Sequence, residues 1–256
     1  MSELKLISPM LDNFEIGNSI SDHNGVQCCP AMQTDSDEKY IVKVISTPAS
    51  QVQLDALLLA GAYPDEESAK PYFKDLAEGI IEEAQILQKL SKLEGFVAHE
   101  AWQMAPIDGR VGYDVYLLSK YCRTLEQHLR RNQMTHLSAV NLGLDLCAAL
   151  GVCRKSGYLY VDLKPSNVYI VNDGNYCIGD LGFIRLDSLK YASLPDKYRS
   201  KYTAPEINDA FASLNETVDI YAVGLILYQA YNDGVLPNLD GSSTDGIPAP
   251  AYADYE

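Results

Sequence analysis

The stretch Tyr160-Val-Asp-Leu-Lys-Pro-Ser-Asn167 places a carboxylate (Asp162), an ammonium (Lys164) and an amide (Asn167) within six positions, and a second acid follows in Gly179-Asp-Leu-Gly182. Phosphoryl transfer asks little covalent chemistry of a protein. It needs a carboxylate at the incoming hydroxyl, oxygen ligands for a divalent cation and positive charge on the phosphates. The two stretches hold each of those parts. Taken singly, Asp162 reads as a turn or cap residue and Asp180-Leu-Gly as an ordinary turn. Their order, with a hairpin between the two acids, is what gives them meaning.

The elements that must position these groups can be read from pattern. Asn167-Val-Tyr-Ile-Val171 and Tyr176-Cys-Ile-Gly179 flank the turn Asn172-Asp-Gly-Asn175, and Asp-Gly suits the left-handed geometry of a tight hairpin. Residues 138–155 repeat Val140, Leu144, Cys147 and Gly151 at helical spacing, and residues 218–230 are apolar almost all round, as in a helix buried inside a lobe. Earlier in the chain, Phe14-Glu-Ile-Gly17 and Tyr40-Ile-Val-Lys-Val-Ile45 read as neighbouring strands of a small sheet, separated by a loop. Residues 51–93 turn helical, with a break at Ala62-Tyr-Pro-Asp65, and Ile80, Ala84 and Leu87 share one face. Residues 114–119 form another strand, and composition shifts near Ser119.

The loop, the hairpin and the Asp180 turn together resemble the catalytic loop and metal-binding turn of the protein kinase family, in the form found in serine/threonine kinases. The resemblance implies that Asp162 orients and deprotonates a substrate hydroxyl, that Lys164 steadies the transferring phosphate, and that Asn167 and Asp180 hold Mg2+. Further matches follow in the family's order. Lys43, in Ile41-Val-Lys-Val44, resembles the lysine that grips the α- and β-phosphates of ATP, and Glu83 its helical partner, with Glu82 the competing candidate. Gly17, Gly25, Val26 and Ile41 fall where the nucleotide is covered, and backbone groups near Lys120 and Tyr121 where adenine is bound. Tyr202-Thr-Ala-Pro-Glu206 resembles the end of an activation segment, and Asp219 the acid that anchors the catalytic loop from below. The implied fold is α+β and bilobal. Residues 1–118 form a small β-rich lobe with a regulatory-type helix, and residues 119–256 a larger, mainly helical lobe.

Departures from the family pattern carry expectations of their own. Seven residues separate Gly17 from Gly25, a spacing longer than the family's and without its middle glycine, and Asp22 adds negative charge there. Tyr160 keeps a packing role in place of histidine, whereas Val161 cannot pair with a phosphate, so activation by segment phosphorylation is not expected. Leu181 replaces phenylalanine, and Arg199 falls where a threonine often contacts the catalytic loop. Residues 51–75 lie in a long gap between Lys43 and Glu83 and read as an insertion. The chain also ends soon after the apolar helix, without the lobe's final helices or the arginine that pairs with Glu206. Two other readings stay open: a binding scaffold that does not use nucleotide, and a phosphotransferase for small molecules.

Composition narrows the field. A formal charge of −15, from 35 acidic against 20 basic residues, opposes phosphate backbones and anionic lipid, so nucleic acid and membrane partners are not expected. ATP and a protein substrate are. Six cysteines without a Cys-x-x-Cys pair, and an N-terminus without a signal-peptide pattern, fit a cytoplasmic protein.

Overall fold

The computed structural model describes residues 8–171, 174–186, 200–208 and 214–237. The turn residues Asn172 and Asp173, Arg199 and the stretch from Pro248 to Glu256 lie outside the described residues. Two compact units form: residues up to Gln88 with Ala98–Tyr121, and Lys89–Val97 with the chain from Cys122 onward. The division thus falls a little past the composition shift at Ser119.

The first unit begins with β1 (Phe14–Ile16), β2 (Ser21–His23), β3 (Val26–Gln33) and β4 (Lys39–Thr47). Helices α1 (Gln51–Leu59) and α2 (Glu66–Leu90) follow; the short β5 (Phe96–Val97) belongs to the second unit, and β6 (Ala101–Pro106) and β7 (Tyr113–Lys120) return to the first. The sheet order is β1-β3-β4-β7-β6, with β2 also paired to β3. Phe14 and Tyr40 are therefore not on neighbouring strands, because β3 lies between them. The local signal for the extra strand is Asn24-Gly25, a two-residue turn with φ of 52° and 75° that joins β2 to β3.

Strand alternation divides this sheet into two faces. Tyr40, Val42 and Val44 of β4 turn one way and join Leu11, Ala31, Tyr116 and Leu118 in a buried core, where the Phe14 and Tyr40 rings meet edge to face at 5.1 Å. Ile41, Lys43 and Ile45 turn the other way, opposite Pro30, Cys28 and Val26 of β3. α2 starts with Asp65 accepting from the Ser68 N–H at 2.8 Å, and buries Ala69, Phe73, Ala77, Ile80, Ala84 and Leu87 along one stripe. The expected face of Ile80, Ala84 and Leu87 is part of that stripe. α1 is capped by Ser50 and inserts Leu54 into a cluster with Ala69, Phe73 and Val111.

In the second unit, β8 (Arg123–Thr124), α3 (Leu125–Leu129), α4 (His136–Lys155), β9 (Tyr158–Tyr160), β10 (Val168–Ile170), β11 (Tyr176–Gly179), β12 (Phe183–Arg185) and α5 (Thr217–Tyr231) follow in order. β10 and β11 pair antiparallel, and β5 adds to β11 in parallel, which ties Lys89–Val97 to this unit. α4 buries Ala139, Leu142, Leu146, Ala149, Leu150 and Cys153. Val140 and Leu144, which the spacing had singled out, are 40% and 64% exposed. The helix is apolar on more than one side, and period alone does not choose between stripes. For the same reason α5 is not buried all round: Ile220 is 51% exposed while Val218, Ala222, Val223 and Ile226 are buried. By length and composition α4 could cross a membrane, but it packs on α5, β9 and β11.

Phe73→Ala should remove the side chain on which α1 docks, costing about 3–5 kcal/mol, read as a fall in the urea midpoint together with loss of protection in α1.

Candidate functional site

β9 ends at Tyr160, and the chain then drops into a short 3-10 turn, Pro165–Asn167, started by a proline that needs no donor there. Asp162 lies in the bend between them, only 8% exposed. Lys164 Nζ donates to both of its carboxylate oxygens, at 2.7 and 2.9 Å. Asn167 Nδ2 donates to the Asp162 carbonyl at 2.9 Å and to its carboxylate at 3.0 Å, which turns the amide oxygen of Asn167 away from Asp162. Burial pushes the Asp162 carboxyl above its ordinary range; the Lys164 charge works against that, and the neighbouring Asp180 adds to it.

Asp180 sits in left-handed backbone, φ 67°, a conformation costly for a residue with a side chain and held only where its surroundings dictate it. Several contacts do so. Its own carboxylate accepts from the Leu181 N–H at 2.9 Å, and the Tyr160 hydroxyl donates to the Gly179 carbonyl just before it. The Val161 N–H donates to the Gly182 carbonyl at 3.0 Å, and the Tyr160 and Phe183 rings meet edge to face at 5.0 Å. Gly182, at φ 147°, lies so close to the bend that a Cβ there would stand 3.0 Å from the Asp162 Cβ. Beneath them, the buried Asp219 carboxylate accepts from the Tyr160 N–H at 3.1 Å; burial pushes its carboxyl up to about 8, against the lowering effect of that N–H.

The four residues expected to do chemistry are thus gathered in the second unit. Asn167 and Asp180 offer amide and carboxylate oxygens, the donors a hard cation such as Mg2+ takes. Among the described residues no three His, Cys, Asp or Glu side chains form a metal cluster, so a cation here would need further oxygens from a phosphate. What the sequence did not reveal is the Tyr160 hydroxyl bond to Gly179 and the contact that requires Gly182. Both are long-range and have no local signal.

The nucleotide residues expected in the first unit fall into two groups. Val26, Ile41 and Lys43 lie on the sheet face away from the core, with Ser119 opposite Ile41 and Leu117 opposite Lys43. Glu83 is partly buried beside the α2 stripe, whereas Glu82 is exposed, which favours Glu83 of the two. Gly17 is elsewhere: its N–H donates to the Pro30 carbonyl at 2.8 Å, and a Cβ would meet Pro30 Cγ at 2.9 Å. Its glycine is needed for that close approach, while the turn is made by Asn24 and Gly25. The long loop expected between Gly17 and Gly25 contains a short strand, since Ser21–His23 pairs with β3. Lys120 pairs through its side chain with Glu38 at 3.1 Å, and the Tyr121 N–H donates to the Lys39 carbonyl at 2.8 Å. Adenine could not use that N–H without breaking the sheet edge.

Comparison with known proteins agrees with this geometry. The sequence model of the protein kinase domain family matches residues 26–244. The mitosis inhibitor protein kinase mik1 of Schizosaccharomyces pombe is 28% identical over 220 residues, 82% of this chain and 34% of that protein. The serine/threonine-protein kinase RUNKEL of Arabidopsis thaliana is 28% identical over 171 residues, 64% of this chain and 12% of that protein. The stress-activated protein kinase JNK of Drosophila melanogaster is 30% identical over 128 residues, 48% of this chain and 33% of that protein. The chain therefore spans about a third or less of the length of these relatives.

Gly182→Ala should strain the backbone by about 1–3 kcal/mol and push the Asp162 bend aside, visible as a lower melting temperature and changed backbone chemical shifts at Asp162. Asp219 supplies a pH prediction. Its folded carboxyl keeps a proton up to about 8, whereas an unfolded one releases it near 3.8. The folded state then binds more protons across that window, so this group's contribution is full below the window and is lost as pH rises through it. The wild type minus Asp219→Asn difference in unfolding free energy should fall across the window, by up to about 1.4 kcal/mol per pH unit. A flat difference would mean that Asp219 is ionised in the fold.

Proposed function

The chain belongs to the protein kinase family, and we propose that it transfers the γ-phosphate of ATP to serine or threonine hydroxyls of a protein substrate. The observation that carries this reading is the arrangement of Asp162, which is buried, held by Lys164 and Asn167 and next to Asp180 in left-handed backbone. Bound ATP would supply the phosphoryl group, and Mg2+ would offset the charge that builds on it.

The chain's own residues divide the remaining work. Asp162 accepts the proton of the incoming hydroxyl, and its raised proton affinity makes it a better base than an exposed carboxylate. Lys164, at 2.7 Å from that carboxylate, keeps it ionised and turns its charge to the phosphate as the hydroxyl arrives. Asn167 fixes the bend through its Nδ2, and its amide oxygen and the Asp180 carboxylate are the groups that would hold the cation. By the family resemblance, Lys43 and Glu83 would be the residues that hold the α- and β-phosphates.

Val161 supports a site that does without a phosphorylated segment. It packs with Leu159, Ala204 and Val218, and Ile184, Leu186, Ile207 and Leu214 pack against that cluster. Apolar burial here takes the place that an arginine and a phosphate would fill. All six cysteines are free thiols, in keeping with our placement of the protein in the cytoplasm. A scaffold that does not use nucleotide is the second reading, favoured by the occupied Tyr121 N–H and by a phosphate turn with a single glycine.

Labelled ATP and Mg2+ with a generic protein substrate should give phosphoserine or phosphothreonine, located by mass spectrometry. Asp162→Ala should lower the rate by about 10²–10⁴-fold. No transfer, combined with no thermal stabilisation by nucleotide, would favour the scaffold.

A further inference from the structure

The turn between β2 and β3 does not stand free of the rest of the first unit. The Gly25 carbonyl accepts from the Ser46 N–H at 2.8 Å. A Cβ at Gly25 would lie 2.4 Å from the Ala49 Cα, so the turn rests backbone against backbone on the segment that leads into α1. That segment is fastened at each residue. Ser46 Oγ donates to Asp114 at 2.6 Å, and Thr47 Oγ1 to the Phe73 carbonyl of α2 at 3.0 Å. The Pro48 carbonyl accepts from Arg110 at 3.3 Å, the Ala49 N–H donates to Gln53 Oε1 of α1 at 2.8 Å, and Ser50 caps α1. The turn's own side chains Asp22, His23 and Asn24 are exposed and supply little to hold it.

We propose that residues 46–50, anchored by α1 and Arg110, are a positioning element for the Asn24–Gly25 turn and thereby set the affinity of the first unit for nucleotide. The nucleotide half of this inference rests on the kinase reading. The physical case is one of preorganisation. A turn with one glycine offers few backbone N–H groups to phosphates, and fixing those few in advance removes the ordering cost from binding. Gln53 of α1, in the inserted stretch, is one of the groups that fix the segment, beside Asp114, the Phe73 carbonyl and Arg110.

The test pairs Gln53→Ala/Arg110→Ala, which cuts two of the fastenings, with Gln53→Glu/Arg110→Lys, which keeps an acceptor and a donor in place. Two quantities are measured on the full chain: hydrogen exchange at the Ser46 amide, whose acceptor is Gly25, and the Kd for Mg·ADP. In the alanine pair, Ser46 exchange should rise by about fivefold or more, Kd should rise several-fold, and the conservative pair should restore both. Unchanged exchange at Ser46 would overturn the proposal. Faster exchange with unaltered Kd would overturn the link to nucleotide. A wild-type chain that shows the exchange pattern but binds no Mg·ADP would overturn the kinase reading and the nucleotide half with it, while supporting the pinned turn.

Discussion

Placing Asp162 at 8% exposure takes an ionisable group out of water, and an uncompensated charge there would cost several kcal/mol. Much of the local structure of the second unit is the compensation. Lys164 reaches both carboxylate oxygens from two residues along the chain, and Asn167 closes the bend from the other side. The Gly182 backbone packs against it, so closely that a side chain there would crowd the Asp162 Cβ. Tyr160 links this bend to the Asp180 turn by its hydroxyl, and to Asp219 by its N–H. Removing any one of these leaves a buried polar group without its partner, so the bend behaves as a unit rather than as a set of separable contacts.

The first unit depends on a different constraint, the two-residue period of its strands. Tyr40, Val42 and Val44 must meet the core, so Ile41 and Lys43 must turn to the opposite face. A slip of one residue in β4 would bury Lys43 and expose the core together, and the apolar face therefore specifies where the lysine points. Membership of the kinase family agrees with both constraints. Val161 is buried in its apolar cluster, and Gly25 lies against Ala49.

What could be read in advance divides along the same physical line. The strand bearing Lys43, the β10–β11 hairpin and the longer helices followed from local pattern, and the grouping of Asp162, Lys164 and Asn167 followed from their closeness in sequence. The Asn24-Gly25 turn is legible too, since two positive φ angles are what that dipeptide favours, and it stands in place of the expected loop from Gly17 to Gly25. The choice of buried stripe on α4 was not legible. Leu142, Leu146 and Leu150 are no more apolar than Leu137 and Leu144, and only the neighbours decide which set is covered.

By itself, the sequence determined the family and the identity of the acid, base and amide, because these rest on residue type and short spacing. Tertiary structure alone decided the rest. It set the proton affinity of Asp162 and Asp219, the left-handed backbone of Asp180, the true position of Gly17 beside Pro30, and the seat of the Asn24–Gly25 turn on Ala49. Each of these depends on desolvation or on contact between residues far apart in the chain, and no local propensity carries that information.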